Sequence, residues 1–486
     1  MNSRADQLKV FFLPFLVSGH MIPMVDLARL FAMHGVNVTI ITTPANALLF
    51  QKAIDRDANS GLQIKTHILE FPSAQVGLPE GIENFNTITS HGMSHKLYHA
   101  LSLLQKPIEQ LFQEMTPDCI ITDMFYPWTV DSAAKLGIPR LVFHTAGYFS
   151  QCAASSIKQY APHLSVNSNA DTFLLPDLPD TIEMTTLQLP RWVRTQDGYA
   201  QLMDRIRESE RQSYGAVVNS FHELESAYEE HYASITGIKA WSVGPVSLCV
   251  NRDAADKVER GNKVAPKENE WLNWLNSKEC SSVLYVSFGS LNKFSTAQLI
   301  ELAHGLDASS HQFIWVVRQK DKDQDEGWLE DFEKHIKESN RGLIIRDWAP
   351  QLLILEHQAI GGLVTHCGWN SILEGVTAGL PMITWPLYAE QFYNEKFVTQ
   401  VIKIGVSVGV TEWRQWDEEA REVVKREEIE KAVIFLMGSG VQAAAMKNQA
   451  RELGNAARRA IQSSGSSQSN LTSMIKELTS LKCGRS

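Results

Sequence analysis

Two sets of residues in this chain have the types and spacing to do chemistry. The first lies between Trp348 and Gln391. There Gly362 to Thr365 reads as a strand, His366-Cys367-Gly368-Trp369-Asn370 as a turn, and Ser371 as the opening of a helix. A strand that runs through a glycine turn into a helix N-terminus presents backbone N–H groups and the positive end of the helix dipole to an anion. A pyrophosphate suits such a cradle, and His366, Asn370 and Ser371 add side-chain donors. Trp348, just before Ala349-Pro350-Gln351, offers a flat face on which a uracil can stack. Ser290, in Phe288-Gly289-Ser290, ends a strand on the side where open α/β sheets bind ligands. Each residue also has a plainer reading. Ser371 and Glu374 form an S-x-x-E capping box, Trp348 is a core residue at a strand-to-loop corner, and Ser290 caps a helix. Spacing alone favours the plain reading for Glu374 and Trp348.

The second set is His20 and Asp123. His20 follows Gly19 on the loop after the first strand, and Asp123 ends the strand Cys119 to Thr122. A lone histidine is more often structural than catalytic. One at the ligand-facing end of a sheet can be a general base, since its unperturbed pKa is about 6.5. A neighbouring carboxylate would fix its tautomer and stabilise the imidazolium. The plain alternative for Asp123 is an N-cap for a helix starting near Pro127. No HExxH, Walker GxxxxGK or GxSxG pattern is present, and no residues have metal-ligand spacing; Asp321-Lys322-Asp323 reads as a solvated loop.

The elements that must position these residues come in two similar sets. Val10 to Leu16 is an apolar strand and Val17 to His20 a loop. A helix opened by Pro23 carries Met24, Leu27, Ala28 and Phe31 on one face, Gly35 ends it, and Val36 to Thr42 is a β-branched strand. This is a β-α-β unit of a parallel sheet. The order returns with the strand Ser282 to Phe288, a helix with Leu299, Leu302, Ala303 and Leu306 on one face, and the strand Phe313 to Val317. Such alternation predicts an α/β fold with two doubly wound Rossmann-like domains facing a central cleft. The expected division is 1–245 for the N-terminal domain, 246–270 for an exposed polar linker, 271–460 for the C-terminal domain, and 461–486 for a C-terminal helix packing back on the first domain. Arg318 to Glu326 reads as a charged loop.

Composition narrows the class. With 486 residues, 44% hydrophobic and 21% charged, the chain can fill ordinary globular cores. Forty-five Lys plus Arg against 55 Asp plus Glu leave a net charge of −10, which argues against nucleic acid as a partner. Six scattered cysteines, with no CxxC pair, fit a reducing compartment. The first apolar run contains Pro14 and lacks a basic flank and cleavage site, so it reads as a buried strand and not a signal peptide; no run reaches the ~18 apolar residues of a membrane span. The expectation is a cytoplasmic monomer.

The stretch WAPQLLILEHQAIGGLVTHCGWNSILEGVTAGLPMITWPLYAEQ, from Trp348 to Gln391, resembles the signature box of the plant UDP-dependent secondary-metabolite glycosyltransferases. The likeness runs from His20 to the final helix and is greatest to the legume triterpenoid saponin glycosyltransferases. It implies a GT-B fold and no cofactor, UDP-sugar being a co-substrate. It also implies that Trp348 stacks on uracil, the Ala349 backbone reads the base, Gln351 meets the ribose and Glu374 holds the ribose hydroxyls. His20 and Asp123 become the catalytic dyad. Glu390 and Gln391 would hold sugar hydroxyls, although they also read as the start of a helix through Asn394. The family's glucose users end the box in Gln and its galactose users often in His; Glu390 stands where Asp is usual, and Trp369 fits neutral hexoses.

The reading is therefore an inverting transfer of a hexose, glucose first, from a UDP-sugar to a hydroxyl of a lipophilic acceptor, a triterpenoid or its glycoside. His20 takes the acceptor proton, and UDP leaves into the cradle of Ser290, His366, Asn370 and Ser371. UDP-glucuronic acid or UDP-galactose as donor and a flavonoid as acceptor are alternatives within the class; an epimerase, a phosphorylase or a non-catalytic UDP-sugar binder is a more distant one. Acceptor contacts are expected from Leu78 to His99, Phe125 to Trp128, Tyr148 to Cys152 and Thr186 to Tyr199, with Phe85, Phe125, Tyr126, Trp128, Phe149, Trp192 and Tyr199 as apolar groups.

Overall fold

The computed structural model describes residues 7–195, 198–251, 253–261, 270–292, 294–318, 326–346, 348–415, 418 and 422–485. Its strands in chain order are β1 (Lys9–Leu13), β2 (Asn37–Thr42), β3 (Ile64–Ile68), β4 (Cys119–Asp123), β5 (Arg140–His144), β6 (Thr172–Leu174), β7 (Glu183–Thr185), β8 (Gly215–Val218) and β9 (Lys239–Ser242), then β10 (Val283–Ser287), β11 (Gln312–Val317), β12 (Gly342–Arg346), β13 (Ile360–Thr365), β14 (Met382–Thr384) and β15 (Gly405–Ser407). Two parallel sheets result, ordered β3-β2-β1-β4-β5-β8-β9 and β12-β11-β10-β13-β14-β15, while β6 and β7 form a small antiparallel ribbon. In each large sheet the winding reverses once, between β1 and β4 and between β10 and β13. Open α/β sheets bind ligands at the carboxyl ends of the strands flanking that reversal.

The strands are apolar on both faces because helices cover both sides of a parallel sheet. In the first sheet Val10, Phe12, Val38, Ile40, Ile121 and Phe143 share a buried cluster with Leu27 and Phe31 of the helix Ser18–Met33. In the second, Leu284, Val286, Phe313, Trp315 and Val364 pack with Leu302 and Leu306 of Thr296–Ala308 and with Val433 and Leu436 of Arg426–Met437.

The chain divides into compact units differently from the linear expectation. One unit comprises Met1–Gly147, Asp197–Val264 and Arg459–Ser486; the other comprises Tyr148–Gln196 and Ala265–Arg458. The segment after Gly147 goes with the second unit because its apolar groups find partners there. Phe149 packs on Phe397 at 5.3 Å between centroids, Trp192 on Trp413 at 5.4 Å, and Trp413 donates its backbone N–H to the Leu187 carbonyl at 2.8 Å. The helix Ser466–Arg485 lies in the first unit, with Leu471, Met474 and Leu478 buried in the cluster of that sheet.

The start of the expected linker is also folded. Val246–Val250 is a helix against Ser18–Met33, and Ala254–Glu259 is a second, capped by Asp253, whose side chain accepts the Asp256 N–H at 2.8 Å. The charges read as solvating are paired. Asp256 binds Arg29 at 2.9 Å and also Arg56, and Arg260 binds Asp26 at 2.9 Å. Residues 262–269 and the Asp321-Lys322-Asp323 loop lie outside the described residues. Among those described, no single helix is long and apolar enough to cross a membrane.

Leu478 is 1% exposed. Leu478→Ala is expected to destabilise the protein by about 2–5 kcal/mol through lost transfer energy and a residual cavity, read as a lower denaturant midpoint. A shift equivalent to less than about 0.5 kcal/mol would show that the helix contributes little to that core.

Candidate active site

At the β1/β4 reversal of the first unit, the chain leaves β1 through Pro14–Val17 and enters the helix Ser18–Met33. The helix begins five residues before Pro23, so His20 sits in its first turn and not on a loop. Ser18 fixes that turn from outside by donating both its backbone N–H and its hydroxyl to Asn86 Oδ1, each at 2.9 Å. Extended Val17 takes the first helical bonds on its carbonyl, from the His20 and Met21 N–H groups.

His20 Nδ1 lies 2.8 Å from Asp123 Oδ2 and 3.4 Å from the Thr145 hydroxyl. The Asp123 side chain is wholly buried and that of His20 is 24% exposed. Asp123 caps no helix: Thr129–Leu136 begins at Trp128, and Asp123 Oδ1 instead accepts the Phe125 N–H at 3.0 Å. A buried carboxylate needs compensation, and a buried cation stands near. Arg140 donates to Thr122 Oγ1 at 2.9 Å and to the Asp123 carbonyl at 3.4 Å. Burial brings its pKa down to about 10, against the opposing pull of Glu210 and Asp123. Phe15 and Phe125 flank the imidazole at 5.8 and 5.5 Å and stack on each other at 4.7 Å, with Phe85 on Phe15 at 5.3 Å. With a carboxylate on Nδ1, the proton of neutral His20 belongs on Nδ1 and the basic lone pair on Nε2.

In the second unit the β10/β13 reversal gathers the other set. The helix Trp369–Ala378 starts two residues before Ser371, with extended Gly368 as N-cap and no side-chain cap, so the Ser371–Glu374 capping box does not form. Gln351 Nε2 donates to Glu374 Oε2 at 2.6 Å and lies 3.5 Å from the Ser371 hydroxyl, while Tyr285 donates to Gln351 Oε1 at 3.3 Å. Four residues from three separate segments, Tyr285, Gln351, Ser371 and Glu374, thus form one polar cluster. Ser295, and not Ser290, is the N-cap of Thr296–Ala308, its hydroxyl accepting the Gln298 N–H at 3.3 Å. His366 is held between two glycines: a Cβ at Gly289 would stand 2.7 Å from its Nε2, and one at Gly368 2.6 Å. Burial pushes its pKa down to about 4, with a further contribution from the Arg318 charge, so it is neutral at physiological pH. His366 Nδ1 and Trp348 Nε1 are buried without a hydrogen-bond partner among the described residues. Such atoms are costly unless a ligand or water meets them.

Residues 85–437 match the family of UDP-glucoronosyl and UDP-glucosyl transferases. The chain belongs to that family. It is 56% identical to the soyasapogenol B glucuronide galactosyltransferase of Glycine max over all of this chain and 98% of that one. It is 47% identical to the scopoletin glucosyltransferase of Nicotiana tabacum over 97% of this chain and 98% of that one. The solved structure of Glycyrrhiza uralensis UGT73P12, complexed with glycyrrhetinic acid 3-O-monoglucuronide, matches with a TM-score of 0.95 and 55% identity, covering 99% of this chain and 97% of that one.

Within this UDP-glycosyltransferase the expected residues fall out unevenly. Trp348, Ala349, Gln351, His366, Asn370, Ser371 and Glu374 lie on segments following the strands of one sheet edge or on the helix beyond. Trp369 is 2% exposed and packs on Phe397 at 5.9 Å, which makes its side chain part of the core. Gln391 Oε1 accepts the N–H groups of Leu387 and Tyr388 at 3.0 and 3.1 Å, and Glu390 Oε1 accepts from Asn394 at 3.3 Å. Of the aromatic groups expected to meet an acceptor, Phe85 and Phe125 join the stack beside His20. Tyr126 is buried with its hydroxyl toward the Pro14 carbonyl, and Phe149 is 1% exposed. Arg318, which sequence reading placed at the head of a charged loop, sits over the Trp348 ring at 5.8 Å. Continuing the strand one residue past β11 would have found it.

Gly368 has φ −63°, so alanine there costs no backbone strain and acts only through the imidazole. Gly368→Ala is expected to weaken UDP binding by about tenfold or more and to have no further effect when His366 is already alanine, a coupling that calorimetry on the double-mutant cycle measures. Additive losses would disconnect the glycine from the histidine.

Proposed function

We propose that this UDP-glycosyltransferase moves a hexose, glucose in preference to other sugars, from its UDP-sugar to a hydroxyl of a triterpenoid glucuronide, with inversion. The His20–Asp123 pair carries the chemical reading. Nε2 of His20 takes the acceptor proton as that oxygen attacks the anomeric carbon, and the bond to UDP breaks with its electrons passing to the diphosphate. Asp123 stabilises the imidazolium. Because Asp123 stands behind the imidazole, no enzyme carboxylate is offered there as a nucleophile; a single displacement turns an α-linked donor into a β-glycoside. The acceptor class rests on relatives: both the Glycine max enzyme and the Glycyrrhiza uralensis complex are named for triterpenoid glucuronides.

UDP is assigned to the second unit. Trp348 stacks on uracil, the Ala349 backbone reads its edge, and the Gln351–Glu374 pair takes the ribose hydroxyls. Ser290, His366, Asn370, Ser371 and the N-terminus of the helix at Trp369 receive the diphosphate. Gln391 bears on the sugar. With its carboxamide oxygen held by two backbone N–H groups and its side chain also bonded to the Tyr388 hydroxyl, the amide has a fixed orientation, and a site built to pair with one hydroxyl rejects the epimer. A galactose preference is the second reading, favoured by the 56% identity to a galactosyltransferase. The same reading takes the enzyme as a cytosolic monomer; none of its six cysteines is in a disulfide, which suits a reducing compartment.

Three outcomes are expected. His20→Ala abolishes transfer and leaves UDP affinity nearly unchanged; activity within about tenfold of wild type would remove His20 as the base. In a panel of UDP-glucose, UDP-galactose, UDP-glucuronic acid and UDP-xylose against a triterpenoid, its glucuronide and simple phenols, wild type turns over the glucuronide with UDP-glucose best, and Gln391→His changes the donor ranking. A wild type that prefers UDP-galactose decides for the second reading, and turnover of phenols alone overturns the acceptor class. Since the helix N-terminus and side-chain donors receive the leaving group, activity is expected to survive EDTA; loss that magnesium or manganese restores would contradict this.

A further inference from the structure

We propose that Arg318 binds the diphosphate of the UDP-sugar as its charged partner. The proposal rests on the assignment of UDP to the second unit. In the paired register Val286 stands opposite Trp315 on β11 and Val364 on β13. Carried past the strand ends, that register sets Arg318 beside Gly289 and places His366 beside Phe288. Arg318 lines a cavity with Ser287, Gly289, Asn292 and Phe294, and its guanidinium stands over the Trp348 ring at 5.8 Å. It therefore occupies the strand edge between the aromatic face assigned to uracil and the glycine-clamped imidazole assigned to phosphate.

Charge makes the location matter. A departing diphosphate gains negative charge, and a fixed cation aimed at it is among the strongest means of stabilising the transition state. Burial holds His366 neutral before a diphosphate arrives, so it offers no standing positive charge. Arg414, a second arginine near the cavity, is already committed: it donates to Asn292 Oδ1 at 2.7 Å and to the Glu418 carbonyl at 2.8 Å. Glu374 and Glu390 add negative charge to the same edge. The positive field of Arg318 reaches the surrounding groups, lowering the pKa of His366 and opposing the burial-driven rise at Tyr285 and Tyr388. Guanidinium also suits phosphate geometrically, offering two parallel N–H donors.

The discriminating experiment compares UDP with uridine by calorimetry on wild type, Arg318→Gln, Arg318→Lys and Trp348→Ala, with melting temperatures measured alongside. Arg318→Gln is expected to weaken UDP by about ten- to a hundredfold while changing uridine by less than about twofold, and Arg318→Lys to recover part of the loss. Trp348→Ala weakens both ligands, as loss of a stacking surface must. Equal weakening of UDP and uridine by Arg318→Gln would make Arg318 a support for Trp348 and overturn the proposal, as would no weakening of UDP. If Arg318→Gln does not fold, Arg318→Lys decides alone: a selective loss of UDP affinity supports the contact, and an unselective loss or none opposes it. Failure of wild type to bind UDP would instead bring down the assignment beneath it.

Discussion

The arrangement at the reversal of the first sheet turns on one hydrogen bond between a fully buried carboxylate and a partly exposed imidazole. Asp123 Oδ2 and His20 Nδ1 stand 2.8 Å apart, 103 residues apart in sequence. The bond sets which imidazole nitrogen is basic, holds the ring beside the stacked Phe15 and Phe125, and provides a charge to stabilise the protonated state. What makes it possible lies mostly outside the pair. β1 and β4 must be neighbours for the two residues to meet, Ser18 must be held by Asn86 to start the helix before His20, and Arg140 must stand near to make a dry carboxylate tolerable. Each is a property of sheet order or packing.

The second unit solves a different problem with the same topology. Its sheet also reverses between its first and fourth parallel strands in chain order, but the residues gathered there are donors and aromatic faces. His366 is positioned by what is missing around it. Gly289 and Gly368 leave no room for a side chain of their own, and the ring fills the space where either Cβ would stand. Gly289 also has φ +75°, a conformation that side-chain-bearing residues rarely adopt. The imidazole that results is neutral and offers hydrogen bonds, not charge, so a nearby arginine acquires its importance.

Much of this was legible in the chain. The β-branched run Val36 to Thr42, the glycine at 35 and the recurrence of strand-helix-strand from Ser282 fixed the class, because parallel sheets buried on both faces leave an apolar signature that tolerates little else. That His20 and Asp123 would meet, and that Gln351 and Glu374 would gather near the Gly368 turn, was readable from strand ends followed by turns. Three things were not. Pro23 pointed to a helix starting at itself, yet the helix begins at Ser18 because a side chain from residue 86 supports its first turn. In the stretch expected to be an exposed polar linker, Asp256 is paired with Arg29 and Arg56, and Arg260 with Asp26, contacts about 200 residues distant that no local pattern encodes. Tyr126, Phe149 and Trp369 carried the right chemistry to touch an acceptor or sugar, but composition does not tell an aromatic side chain in the core from one at a binding surface.

The central claim is that Asp123 acts electrostatically through His20. Asp123→Asn tests it most directly, because the amide preserves size and shape while removing the charge and the fixed tautomer. The measurement is the single-turnover rate of sugar transfer with UDP affinity determined on the same preparation. The account predicts a fall of roughly 10²–10⁴-fold in that rate with UDP affinity unchanged. A rate within about tenfold of wild type would contradict it, leaving the buried carboxylate as a structural group and the basicity of His20 independent of it.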